Sequence, residues 1–343
     1  MTGTAAAVRK QNLRWLVRQR SLHIGLVLWI LLGLAFIVLC HGTRGVVPLN
    51  LPPNQLRQTP LAQVIGSWVA LVFLVLECGL VLLFTRRRSW PDLGQRAPER
   101  SIALRETVAV WAYAAVVLLV GRWVGFHYFG AGIAMHLNGS LVGATRVQSP
   151  HEVYLWTAYN FILLALAPYI VFRMRGCSRE QLNLRSANWK NDLLVIVIVM
   201  AIGCLMDLTG PNILQLTSHQ RIAGGLLSFV VHLFLTDVPV MILIYAILLP
   251  RYARLVSPAT AFLLGAASYP AIHILETFTR YDSPRDSVIS AIFVFLFFFP
   301  PGVMKSFLTM RTGNAWVHMW GFHAVSPHVT VDTRLIVHDF NIR

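Results

Sequence analysis

Residues 64–85 read VIGSWVALVFLVLECGLVLLFT, a run in which Glu77 is the one charged side chain. As an α-helix, such a run crosses the bilayer core, which takes roughly 20 apolar residues. Working outward from it, comparable runs fall at 22–41, 107–127, 154–173, 192–210, 222–249, 257–278 and 286–310. A shorter apolar stretch, 313–326, follows; it is too brief for a full crossing and reads as a short helix inside the bundle. The expected fold is all-α: a polytopic membrane helix bundle of about eight transmembrane helices plus a short C-terminal buried helix.

Composition excludes the soluble alternative. The chain of 343 residues is 56% hydrophobic and 13% charged, where a soluble domain carries about 25% charged residues. A formal charge of +15 would suggest nucleic acid in a soluble protein. Here the basic residues sit in the tail (Arg9, Lys10, Arg14, Arg18, Arg20) and between spans at 86–105 and 173–190. That pattern makes lipid headgroups the expected partner, not nucleic acid, and puts the N-terminus in the cytoplasm. The first span lacks a small-residue cleavage site and reads as a retained helix. An Arg-rich, Lys-poor chain points to a bacterial cell membrane. The expected organisation is a basic tail (1–21), N-terminal membrane helices (22–221), a core (222–328) and a C-terminal tail (329–343). The cysteines (Cys40, Cys78, Cys177, Cys204) are scattered without metal spacing. The sequon Asn138-Gly139-Ser140 falls between spans.

Ionisable groups inside spans cost roughly 2.5–3.5 kcal/mol each on insertion scales, so they mark function or pairing. The chain has Glu77, Arg122, Asp207, His232, Asp237, His273, Glu276, His318 and His323, concentrated in the last third. Glu77 and Arg122 read as a structural ion pair, and Asp207 reaches water at a span end. His273 and Glu276 are three apart and share a helix face. Asp237 precedes Pro239, which removes a backbone donor and opens the helix locally. His323 lies in the short terminal helix with Ser326 one turn on. An acid and two histidines are the minimum for hydrolysis in such a cavity. The bland alternative is a polar network that only holds helices together. His318, His323 and His328 step about 140° apiece on an α-helix and so diverge; with HExxH also absent, neither metal nor cofactor is expected.

Three stretches carry a resemblance: 242–252 (ILIYAILLPRY), 269–273 (YPAIH), and 311–316 (RTGNAW) followed by 321–324 (GFHA). In order and spacing they resemble the CPBP family, the CAAX prenyl endopeptidase and bacteriocin-processing membrane proteins, over residues 222–328. The resemblance implies an intramembrane peptidase whose glutamate, helped by a histidine, activates water. By position it implies His273 as the first histidine and His323 as the second. The chain departs from the family pattern: Val240-Met241 stand at the Glu-Glu pair, Tyr245 at the arginine and Pro327 at the final asparagine. Asp237, a turn before Val240-Met241, and Glu276, a turn after His273, are the acids left for the role, with Ser326 as a donor in place of asparagine.

Two principal readings follow. One is a divergent CPBP-type intramembrane peptidase with catalytic residues Asp237, His273, Glu276 and His323, acting on a membrane-embedded or lipidated peptide. The other is an inactive CPBP-like scaffold that binds a partner; a transporter or lipid-modifying enzyme is a third class. Convergence discriminates: hydrolysis requires a carboxylate against His273 in a space shared with His323.

Overall fold

The computed structural model describes residues 19–41, 47, 49–50, 58–130, 132–137, 149–210 and 212–343. The sequon and most of the basic tail lie outside them. Among the described residues the regular structure is helical. Seven helices among the described residues are long and apolar enough to cross a membrane: α1 Arg20–His41, α2 Pro60–Phe84, α3 Arg100–Phe129, α4 Pro150–Met174, α5 Trp189–Asp207, α6 Ser218–Leu255 and α8 Pro284–Thr312. The chain is an integral membrane protein built as a helix bundle.

The span expected at 257–278 is a 15-residue helix, α7 Pro258–Ile272. The apolar run continues, but the backbone leaves the helix at His273 and turns through Glu276. Beyond α8, α9 begins at Ala315–His318 and continues in wide turns through Met319–His323. Residues 329–343, expected as a tail, contribute to α10: wide turns at Ser326–Val331, then Thr333–Asp339. The apolar face of α10 packs on α6, where Val337 and Thr333 close on Gly224.

Helix α6 is the axis. Every side chain from Met241 to Leu248 is buried, as expected of a helix apolar all round. Small residues let α7 and α8 close on each other: a Cβ on Gly302 would stand 2.2 Å from the Ala266 carbonyl oxygen, and one on Gly265 2.5 Å from Ser306 Oγ.

The helix corners are tied by buried and half-buried cations. Arg251 donates to Glu106 Oε2 at 2.8 Å and to the Ile247 carbonyl at 2.7 Å. Arg311 donates to Thr85 Oγ1 and the Arg88 carbonyl, both at 2.8 Å, and to the Thr85 carbonyl. Arg96 donates to Gly313 O at 2.6 Å and Asn183 Oδ1 at 2.7 Å; burial lowers this guanidinium from its ordinary pKa, with Glu180 opposing. Gly313 caps α8 at φ 67°, a left-handed position that favours glycine. The arginines of the Pro-Arg and Arg-Thr-Gly motifs thus act as ties between helix ends.

Several expectations are corrected. Arg122 reaches the Leu275 carbonyl and lies over the rings of Phe126 and Tyr281, and it makes no pair with Glu77. Lys305, which falls inside the run at 286–310, is buried within α8.

Candidate functional site

The site is built where the backbone is wound wider than an α-helix. Pro239 offers no N–H to the carbonyl four residues back. The turn before it, Leu233–Asp237, adopts i→i+5 hydrogen bonds, with Val238 N–H reaching Leu233 O. Such π turns frequently occur at functional sites. This one aims Asp237 into the bundle, fully buried. The segment 132–137, expected outside, is drawn in beside it. Asn160 Nδ2 donates to Ala134 O at 2.8 Å, and the Thr236 hydroxyl donates to Met135 O. That places the His136 ring against His273, centroids 4.6 Å apart.

Six elements then converge. From the turn after α7, His273 Nδ1 donates to Glu276 Oε1 at 2.9 Å. His136 Nδ1 lies 3.3 Å from the same oxygen. From α9, His323 Nδ1 lies 3.0 Å from Asp237 Oδ1. That contact lacks the alignment of a hydrogen bond, and neither Asp237 oxygen receives one. His323 Nε2 stands 3.3 Å from Tyr269 Oη. From α10, His328 Nδ1 donates to Asp332 Oδ2 at 2.8 Å, and its Nε2 is 3.5 Å from Asp237 Oδ1. His232 Nδ1 donates to the Ser228 carbonyl at 2.8 Å and stacks on His328, centroids 4.4 Å apart. Lys305 Nζ sits 3.4 Å over the Tyr269 ring.

The four sequence-predicted residues are therefore brought together as two pairs, Glu276 with His273 and Asp237 with His323. A cavity of about 210 Å³ joins them. Glu276, His136, His323, His328, Lys305 and Tyr269 face it. Asp237 and His273 stand behind His323 and Glu276. Ser326 lines the cavity but gives its hydroxyl proton to Asp207 Oδ2 at 2.6 Å, so it does not take the place of the missing asparagine. Asp207 accepts from Thr330 as well, at 2.9 Å. Glu77 also lines the cavity. His318 stays apart, with Nδ1 3.1 Å from Thr309 Oγ1.

Sequence reasoning missed His136, His328, Asp332, Tyr269 and Lys305. His136 lies in a stretch read as a loop, though Ile133, Ala134, Met135 and Leu137 around it are apolar and buried. His328 was set aside on α-helical periodicity. In the π-wound backbone, residues five apart turn toward one another, and the His323 and His328 rings come to 5.1 Å.

The remainder of the cavity is apolar. Phe278, Phe297, Phe298 and Phe322 line it, and it extends to Phe73 of α2 and Met206 of α5. Met206 is 48% exposed, so the cavity extends to a residue on the exposed surface at the end of α5.

No protein-family model, curated protein or solved structure matches the chain.

Proposed function

We propose that the chain is a divergent CPBP-type intramembrane peptidase that hydrolyses a membrane-embedded or lipidated peptide, in a bacterial cell membrane with its N-terminus in the cytoplasm. The observation that carries the reading is the Glu276–His273 contact of 2.9 Å beside a cavity that His323 also faces. Glu276 accepts a proton from water in the cavity, with the His273 imidazole holding the carboxylate in place. The resulting hydroxide attacks the scissile carbonyl. His323, backed by Asp237, and the Lys305 amine stabilise the developing oxyanion by donating to it. The proton held by Glu276 passes to the leaving group as the bond breaks, which returns the carboxylate. A phenylalanine-lined cavity that extends to the exposed surface at the end of α5 accepts an apolar chain and suits a substrate that arrives from the bilayer.

The Glu276 position differs from that of the family's Glu-Glu pair, which α6 fills with Val240 and Met241. In this proposal the acid has moved from α6 to the turn after α7, and Asp237 on α6 supports the second histidine. The test is hydrolysis of isoprenylated, acylated and transmembrane peptides by the purified chain in lipid vesicles, read by mass spectrometry. Cleavage that disappears in Glu276→Gln and His273→Ala, with folding retained, is the expected result. Cleavage untouched by both substitutions removes the assignment.

A further inference from the structure

The cluster holds more imidazoles than water activation requires, and their arrangement is that of a metal site. The ligand nitrogens of His136, His323 and His328 lie within 4.8 Å of one another. Bonds of about 2.0–2.1 Å to one ion bring such nitrogens to roughly 3.3 Å, within reach of side-chain rotation. Metal-bound histidines are commonly fixed by a group on the other ring nitrogen. Each of these three has one: Glu276 at His136 Nδ1, Asp332 at His328 Nδ1 and Tyr269 at His323 Nε2. With Nδ1–H donated to a carboxylate, His328 keeps its lone pair on Nε2. That atom is buried without a hydrogen-bond partner, as are His323 Nδ1 and both oxygens of Asp237. Asp237 Oδ1 is 3.0 Å from His323 Nδ1 and 3.5 Å from His328 Nε2. Buried polar atoms left without a partner are costly unless a partner sits between them.

We infer that His136, His323 and His328 form a binding site for a divalent transition-metal ion of the zinc type. Imidazole suits zinc, copper, iron and nickel, whereas calcium and magnesium prefer all-oxygen shells. The site stands independently of the hydrolase reading: it concerns what the imidazoles hold, whatever reaction the cavity supports.

The test uses the purified full chain in detergent, stripped with a chelator and then exposed to cobalt(II) or zinc. Metal content and the visible absorption of bound cobalt are the readouts. The expected result is close to one ion per chain. His328→Gln and His136→Gln should weaken binding by on the order of 10–100-fold or more, while His318→Gln, outside the cluster, retains it. A rise in melting temperature on adding zinc should appear in the parent and vanish in His136→Gln, whose short segment can be altered without cutting a helix. A folded parent chain that binds no cobalt or zinc, or stoichiometric metal unaffected by His136→Gln and His328→Gln, overturns the proposal. Metal bound without peptide cleavage would sink the hydrolase reading and leave this one; cleavage by a folded chain that takes up no cobalt or zinc would do the reverse.

Discussion

Two groups of helices in this bundle obey opposite rules. In α1, α2 and α5 the apolar windows are 17–22% buried; in α6 and α8 they are 67% and 61% buried. The outer helices present leucine and valine to lipid and need only to be long and apolar. The inner ones have protein on every side, and the charged and hydrogen-bonding groups accumulate on and beside them. The difference teaches where specificity resides. Lipid-facing side chains gain nothing from a particular partner, whereas buried polar groups must each meet one or leave an unsatisfied atom.

The sharpest way to break this comparison is at the site. Glu276→Gln keeps the volume of the side chain and removes its capacity to take a proton. Peptide cleavage should fall by about 100- to 10,000-fold, the range of a general acid–base catalyst, read as kcat/KM in vesicles. A comparable loss on altering a lipid-facing residue would erase the distinction between the two groups.

A second effect is structural. Arg251→Ala leaves Glu106 buried, with Arg175 as its remaining cation at 2.9 Å. Breaking a buried pair costs about 3–5 kcal/mol, and the second arginine reduces that toward the lower end. Thermal unfolding in detergent measures it. If stability is unchanged, the motif arginine is not a tie between helix ends.

Gly302→Ala probes packing. Its new methyl meets the Ala266 carbonyl, so α7 and α8 must part at a cost of about 1–3 kcal/mol. Because α8 carries Lys305 and α7 leads into His273, cleavage should fall along with the melting temperature. By contrast, Leu76→Ala on the lipid face of α2, where Leu76 is 68% exposed, should change stability by no more than about 0.5 kcal/mol.

These contrasts also explain what was legible. Apolar runs announced the outer helices because lipid demands nothing else of them. Asp237, His273, Glu276 and His323 stood out because each interrupts an apolar run. The end of α7 at His273 was hidden, since the run stays apolar beyond it and the turn is imposed by the packing around Glu276. His136 was hidden because it reaches the core through the segment 132–137, held by Asn160 and Thr236, contacts distant in sequence. His328 was lost to an α-helical ruler laid on backbone that winds by i→i+5 turns. The Pro-Arg and Arg-Thr-Gly motifs were legible as motifs, but their role as helix ties depends on Glu106, Thr85 and Asn183 from elsewhere in the chain.

The central claim is that Glu276 and His323, contributed by separate elements, act on one reacting centre. A double-mutant cycle on kcat/KM tests it most directly, with Glu276→Gln, His323→Ala and the two combined. Groups that act as a unit are strongly non-additive, so the double variant should be little worse than the weaker single one. Losses that multiply, or a His323→Ala enzyme as fast as the parent, would contradict the account.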